Sequence, residues 1–364
     1  MDEEKLSLLK LFLTGDVGNV RISKLIEKFG DVRAIFKASK KDLLSVSGIG
    51  DNIANSILKP SLHKIAEQEL ITAEKSGIKI VFYTDKDYPT ALNHFSDKPL
   101  VLYVKGKITK EDISSVAIVG SRKITPYGKT VTSEFASYFA RLKITIISGL
   151  ARGVDTHSHL AALENNSRTV AVLGNGLLVF YPNENRFLQE KIAQNGAVIS
   201  EFPLHVPPDK GNFPKRNRIV AGLAEAILVT EADLKSGSLI TARIGAEYGK
   251  DVFAVPGNIH SMMSQGTNAL ISNGAFPALS PDIVADYMDW SKKNESSIKT
   301  KAYSSDKFEN KILDLIEQDA DGLHPDIIAQ KLNTDISKVN CALLNLELSG
   351  FIKTSSGQTY IRVL

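Results

Sequence analysis

Residues 114 to 129, SSVAIVGSRKITPYGK, run a strongly apolar strand into Gly120-Ser121-Arg122 and then into a helix opening with Thr125 and Pro126. Residue types in that order suit the capture of a phosphate. Thr125 is of the type that caps a helix and Pro126 suits the first helical position, which would leave backbone N–H groups and the positive helix end facing outward. Arg122 and Lys123 add full charges to those partial ones. The glycine spacing argues against a different ligand. After Gly120 the next glycine is Gly128, so the GxGxxG run that brings a dinucleotide pyrophosphate against the backbone is absent. The second strand, ITIISGLARG at 144 to 153, ends in Ser148, Gly149 and Arg152 with no carboxylate at its tip for a ribose hydroxyl pair. Asp155 lies just inside the following helix, where an acidic first-turn residue ordinarily complements the helix dipole. These features argue against a nicotinamide enzyme.

A basic loop follows further along. HVPPDKGNFPKRNRIVAG, residues 205 to 222, sets Lys210, Lys215, Arg216 and Arg218 against one acid, Asp209. The whole chain carries only +3, from 44 basic and 41 acidic residues, so bulk charge announces no partner and local placement has to decide. In a helix beginning near Pro214, Lys215 and Arg218 are i,i+3 neighbours while Arg216 and Asn217 turn elsewhere. At least one of these cations is therefore expected to make an internal ion pair. A planar Arg122 fork can hold two phosphate oxygens, with the Gly120 and Ser121 backbone as neutral donors and Lys215, Arg216 and Arg218 extending the track. Phe213 and Ile219 are candidates to meet a base face, although both types are more often core.

Catalytic signatures are missing from this picture. The sequence has no P-loop, no paired metal-ligand cluster and no serine-histidine-acid set identifiable by spacing. His157 and His159 stand at i and i+2 on a helix and point to different faces, which makes a two-histidine metal site improbable and His159 a structural residue. A single cysteine, Cys341, excludes an internal disulfide framework and a cysteine-rich zinc site and is expected to be buried. No catalytic residue, metal or cofactor is assigned.

The elements that must position these residues come from patterning. At 364 residues with 43% hydrophobic content, the chain can build two or three domains. From about 78 to 288, KIVFY, LVLYV, VAIVG, ITIIS, TVAVLG, AVISEF, AILVTEA and VFAVP read as strands, several nearly continuously apolar and so buried on both faces. Amphipathic helices between the central ones make this an α/β, doubly wound, mostly parallel Rossmann-like sheet. Ligands of such sheets collect at the carboxyl ends of the strands, where GSR, SGLARG, GNG and TEADLKSGS should converge on one crevice. We expect this domain at 63–290. Residues 1–62 read as an N-terminal helical domain in which Gly48-Ile49-Gly50 has the helix-hairpin-helix form, suited either to DNA phosphate or to helix packing alone. A polar linker at 291–306 leads to 307–364, where three helices and two short strands around Gly357-Gln358 fit a winged-helix domain. Its third helix offers only Lys338 as a base-side cation, so DNA reading and protein binding both stay open. GTNALISNGAFPALS, 266 to 280, reads as a helix apolar enough for an interface or for the core, and the core is expected for most of its residues. The absence of a long apolar run and of a secretory signal leads us to expect a cytoplasmic protein with no membrane partner.

VGSR (119 to 122), SGLARGVD (148 to 155), FPKRNRIVAGLA (213 to 224), SGSLITA (236 to 242) and VPGN (255 to 258), in that order, closely resemble the DNA-processing protein DprA, or Smf, family. The resemblance covers the central domain, and the helical front and winged-helix tail look like the family's accessory domains. It implies a homodimeric protein of natural transformation and competence that binds incoming single-stranded DNA, protects it, and loads the RecA recombinase in DNA recombination; with no catalytic signature in the residues, no enzymatic activity is expected. It also implies that Arg216 and Asn217 face DNA. The DNA-binding set expected is Gly120, Ser121, Arg122, Ser148, Gly149, Arg152, Phe213, Lys215, Arg216, Asn217, Arg218 and Ile219. One departure stands out: where the family has aspartate in GxGLDxxYP, GNGLLVFYP carries Leu178. The competing reading is a nucleotide phosphoribohydrolase of the lysine-decarboxylase-like Rossmann family, but SGSLITARIGAE lacks that family's PGGxGTxxE double glycine.

Overall fold

The computed structural model describes residues 2–15, 17–291, 306–317, 319, 322–348, 351–354 and 359–362. They form two compact units, divided between Lys292 and Lys293. Most of the expected linker and the turn at Gly357-Gln358 lie outside the described residues.

The larger unit is built on a nine-stranded sheet of order β1-β2-β6-β5-β4-β3-β7-β8-β9. Its parallel centre comprises β3 (Ser115–Val119), β4 (Thr145–Ser148), β5 (Thr169–Leu173), β6 (Ala197–Ser200), β7 (Ala226–Val229) and β8 (Asp251–Ala254). Every residue of β3 to β7 is buried, as expected of strands covered on both faces. β1 (Ile78–Phe82) and β2 (Val101–Gly106) extend one side antiparallel. From β3 the chain winds outward through β4, β5 and β6, then returns to the other flank of β3 as β7 and β8. This reversal puts the topological switch point between β3 and β7.

The helices that cover this sheet divide the core. α7 (Pro126–Arg141), α8 (Val154–Glu164) and α13 (Pro281–Tyr287) enclose Phe135, Phe139, Val284 and Trp290 against one face. α10 (Asn212–Leu223) and α11 (Ser238–Glu247) cover the opposite face through Ile219, Val220 and Ala242. The N-terminal helices do not stand apart. α1 (Glu3–Phe12), α2 (Asn19–Phe29) and their neighbours share one core with Phe82, Tyr103, Leu173 and Leu204 of the sheet domain. Asn19 fastens the junction, its side-chain amide donating to Glu201 Oε1 at 2.6 Å. The Gly48-Ile49-Gly50 turn joins α4 (Lys40–Leu44) to α5 (Asp51–Ile57), with Gly48 at φ +90° and Ile49 buried. Leu178, the departure from the family pattern, packs on this shared core.

In one stretch the expectation fails. Residues 266 to 280 hold α12 (Gln265–Ser272) and the two-residue edge strand β9 (Phe276–Pro277), and Phe276 and Leu279 are exposed rather than core. An edge strand has only one neighbour to cover it, and here the far side is open.

The smaller unit has helices Lys307–Glu317, Pro325–Leu332 and Ile336–Leu348 and an antiparallel pair, Ile352–Thr354 with Tyr360–Arg362. Val339, Ala342, Leu343 and Leu346 form the buried stripe of the third helix. Cys341 falls off that stripe and is exposed, contrary to the sequence expectation.

Candidate nucleic-acid interface

At the switch point the carboxyl ends of β3, β4 and β7 open into a cleft of about 590 Å³. Arg122 and Lys123 come from the loop after β3, Gly149 and Asp155 from the end of β4 and the start of α8. Lys210, Phe213, Arg216 and Asn217 come from the start of α10 and the loop before it. Lys235, Gly237 and Ser238 close the far wall where α11 begins. Five cations line this space against two carboxylates, Asp155 and Asp233. Both acids are engaged, Asp155 accepting the N–H groups of Gly149 (3.1 Å) and Ala151 (3.2 Å), and Asp233 that of Lys235 (2.6 Å). The balance of charge in the lining favours an anion.

The cap of α7 forms as its sequence dictates, with Thr125 Oγ1 accepting the Gly128 N–H at 3.1 Å. Its open end does not await a phosphate. The buried carboxylate of Glu231, at the tip of β7, accepts both the Thr125 N–H (2.8 Å) and the Thr125 hydroxyl, so the protein fills this anion site itself. The Ser121 N–H is likewise spent on the Glu231 carbonyl (2.7 Å), and the Lys123 N–H on Ser121 Oγ (3.0 Å). Gly120 and Ser121 shape the wall rather than serve as the expected donor pair. The starts of α10 and α11 also line the cleft, the latter through Gly237 and Ser238, with the Ser238 N–H reaching Ser236 Oγ (3.4 Å).

Arg122 is exposed, and its guanidinium carbon lies 5.0 Å from the centroid of the Phe213 ring. Tyr181 approaches the same ring at 5.7 Å. The cleft thus carries a cation–aromatic wall with charge for phosphates and π-faces for bases.

Arg216 has another task. It is 5% exposed and donates through Nη1 to the carbonyls of Gly149 (2.6 Å) and Val172 (2.5 Å), and through Nε to Asn217 Oδ1 (3.1 Å). This ties the tips of β4 and β5 to α10. A Cβ at Gly149 would stand 1.9 Å from Arg216 Nη1, so a side chain there would displace the guanidinium. Burial lowers the pKa of Arg216 and raises that of Asp155, and the charge of each opposes the other's shift. Arg216 supports the cleft from beneath, with Asp155 as its buried counter-charge.

Gly120, Ser121, Arg122, Gly149, Phe213, Arg216 and Asn217 line the cleft together. The other expected residues do not. Ser148 is fully buried and donates to the Ile118 carbonyl (2.6 Å), and Ile219 belongs to the core beneath α10. Arg218 pairs with Glu201 and lies 3.6 Å from Asp97, satisfying the expected internal ion pair. Arg152 pairs with Glu184, and Lys215 points to solvent outside the lining. Lys123, Lys210, Lys235 and Tyr181 complete the cleft in their place. Lys235 lies in the TEADLKSGS tip and Tyr181 in GNGLLVFYP, both visible as motifs but lacking any local mark of which side chain faces inward.

His159 is fully buried beside this scaffold. Thr169 Oγ1 donates to the Ile146 carbonyl (2.8 Å) and lies 2.6 Å from His159 Nδ1, so it accepts a hydrogen bond from the Nδ1–H. Burial and the charge of Arg216 push the His159 pKa down to about 3, leaving a neutral ring whose Nε2 has no hydrogen-bond partner. Among the described residues no three histidine, cysteine, aspartate or glutamate side chains gather around a metal site. No described helix is long and apolar enough to cross a membrane.

Comparison with known proteins gives this geometry a context. Residues 15–71 match a helix-hairpin-helix motif and residues 299–358 the DprA winged helix domain. Protein Smf of Escherichia coli is 36% identical over 305 residues, covering 82% of this chain and 81% of that protein. DNA processing protein DprA of Streptococcus pneumoniae is 41% identical over 204 residues, covering 56% of this chain and 72% of its own. The X-ray structure of the Streptococcus pneumoniae protein superposes with a TM-score of 0.67 at 33% identity, covering 79% of this chain and 98% of the other. DNA processing protein A from Helicobacter pylori, whose structure describes a single-stranded DNA binding mode, superposes with a TM-score of 0.52 at 32% identity over 58% of this chain and 95% of its own. Residues 79–289, which carry the entire cleft, match DNA recombination-mediator protein A, and the chain belongs to that family.

Proposed function

We propose that the cleft binds the backbone and bases of unpaired DNA, and that the chain protects incoming single strands and loads the RecA recombinase onto them during natural transformation. In this reading it works in the cytoplasm as a homodimer. The observation that carries the proposal is the convergence of Arg122, Lys123, Lys210 and Lys235 with the Phe213 ring at the switch point. Charge and stacking suffice for this task, and no catalytic step is required of any residue. Sequence preference should be slight, because the groups offered to the strand are cations and aromatic faces. We further propose that residues 63–290 carry the strand while 1–62 and 307–364 are accessory domains. On the third helix of the smaller unit, Ser337, Asn340, Cys341 and Leu344 are exposed, and the cation Lys338 lies 4.5 Å from the Phe308 ring. With Lys338 as the helix's one cation, that surface favours a protein partner over a DNA groove.

Arg122→Ala tests the cleft. Arg122 is exposed, so the variant should keep its stability while binding oligonucleotides of unrelated sequence more weakly. Its log-log salt slope should fall by about 0.7, the share of one phosphate contact. Unaltered affinity and slope would sink the proposal.

A further inference from the structure

Beyond the cleft wall, the chain presents a second arginine–aromatic stack that the cleft does not use. Tyr181, already against Phe213, is followed by the short turn Asn183–Asn185 and by α9 (Arg186–Asn195). The Arg186 guanidinium lies 4.6 Å from the centroid of the Phe180 ring. Next to it, Phe187 is 81% exposed, and no other large apolar side chain among the described residues is as open. The one acid of the turn, Glu184, is neutralised by Arg152. An arginine at the first residue of a helix opposes the helix dipole, and a solvated phenylalanine forfeits burial. The exposed Phe187 ring contributes no burial to the fold.

We infer that a strand filling the cleft continues across residues 180–187, where Arg186 on Phe180 meets its backbone and Phe187 stacks on a further base. This rests on the reading of the cleft as a single-strand site. The occupant is unpaired nucleic acid because the patch pairs the Arg186 cation with the open Phe187 ring, and the chain runs into it directly from Tyr181, which meets Phe213 in the cleft. An apolar protein partner would find a guanidinium in its path.

The test compares an oligothymidylate of about four nucleotides with one of about twelve, bracketing ordinary single-strand site sizes. Phe187→Ala should weaken the longer by about tenfold and leave the shorter unchanged, whereas Arg122→Ala should weaken both. Phe187→Trp supplies the rescue and a reporter, since the chain's single tryptophan, Trp290, is buried. It should bind the longer oligomer like the parent, with its emission quenched by that oligomer alone. Equal affinity of Phe187→Ala and the parent for the longer oligomer would overturn the inference while leaving the cleft intact. Failure of Arg122→Ala to affect either oligomer would instead remove the cleft itself.

Discussion

Replacing Arg216 by methionine separates a strut from a DNA contact. The guanidinium is nearly inaccessible and is held by the carbonyls of Gly149 and Val172 and by Asn217. Methionine keeps much of the length but offers no donor, so both carbonyls lose a partner and Asp155 loses its counter-charge. Breaking a buried charge pair by removing one member costs about 3–5 kcal/mol. Whole domains have only about 5–15 kcal/mol in hand. A phosphate-contacting cation on the surface behaves differently, its removal leaving stability within about 0.5 kcal/mol while the salt slope drops by about 0.7. Urea unfolding followed by circular dichroism reads the first quantity, and oligothymidylate titrations over a salt series read the second. We expect Arg216→Met to lose several kcal/mol with little change in slope. Without the guanidinium, the folded-state pKa of Asp155 rises further above its unfolded value, because burial then acts unopposed by that charge. A raised folded-state pKa stabilises below the unfolded value and loses that benefit as pH rises through the folded one, so the variant should recover on acidification. Adding Asp155→Asn should restore much of the loss at neutral pH. A variant that unfolds at the parent's urea concentration yet shows a shallower salt slope would refute this, and would make Arg216 the DNA contact that the family resemblance implies.

Phe213→Ala should weaken single-strand binding by about 1–3 kcal/mol with the salt slope intact, since a stacking face and no charge is removed; a changed slope in the titration would mean that Arg122 had moved as well. His159 titrates at about 3 in the fold against 6.5 for the free side chain, so as pH falls from about 6.5 the unfolded chain takes up a proton that the folded chain refuses. Its contribution should erode stability by about 1.4 kcal/mol per pH unit down to about pH 3, and His159→Asn should remove that share of the slope in urea unfolding.

Much of the sheet was legible because its strands are apolar and β-branched along their whole length, a pattern that only burial on both faces explains. β9 was not, since two residues of an edge strand carry no periodicity. The place of the site followed from topology, because loops after parallel strands must meet at one end of the sheet. Its membership did not. Helical spacing says which residues of α10 share a face but not which face is buried, and the buried one turned out to hold Arg216, Asn217, Ile219 and Val220. Arg216 reaches Gly149 and Val172, and Arg218 reaches Asp97, across stretches of sequence that helical spacing does not span. The same distance hid Glu231, 106 residues beyond the helix end that it closes.

The division of labour among these charges explains how a chain of net charge +3 presents a basic cleft. Glu231 and Asp155 are buried at the carboxyl edge of the sheet, one neutralising the start of α7 and the other facing Arg216. Glu201 does the same for Arg218. Each of these acids is consumed by the scaffold, where low dielectric makes its pairing strong, and none is left to repel a phosphate. Arg122, Lys123, Lys210 and Lys235 sit at the solvated rim, where a cation keeps its hydration until a ligand arrives. Because these rim charges lie in water, their pull on a strand weakens with added salt, while the buried pairs beneath stay in place. Binding should therefore fade at salt concentrations where the cleft is still folded.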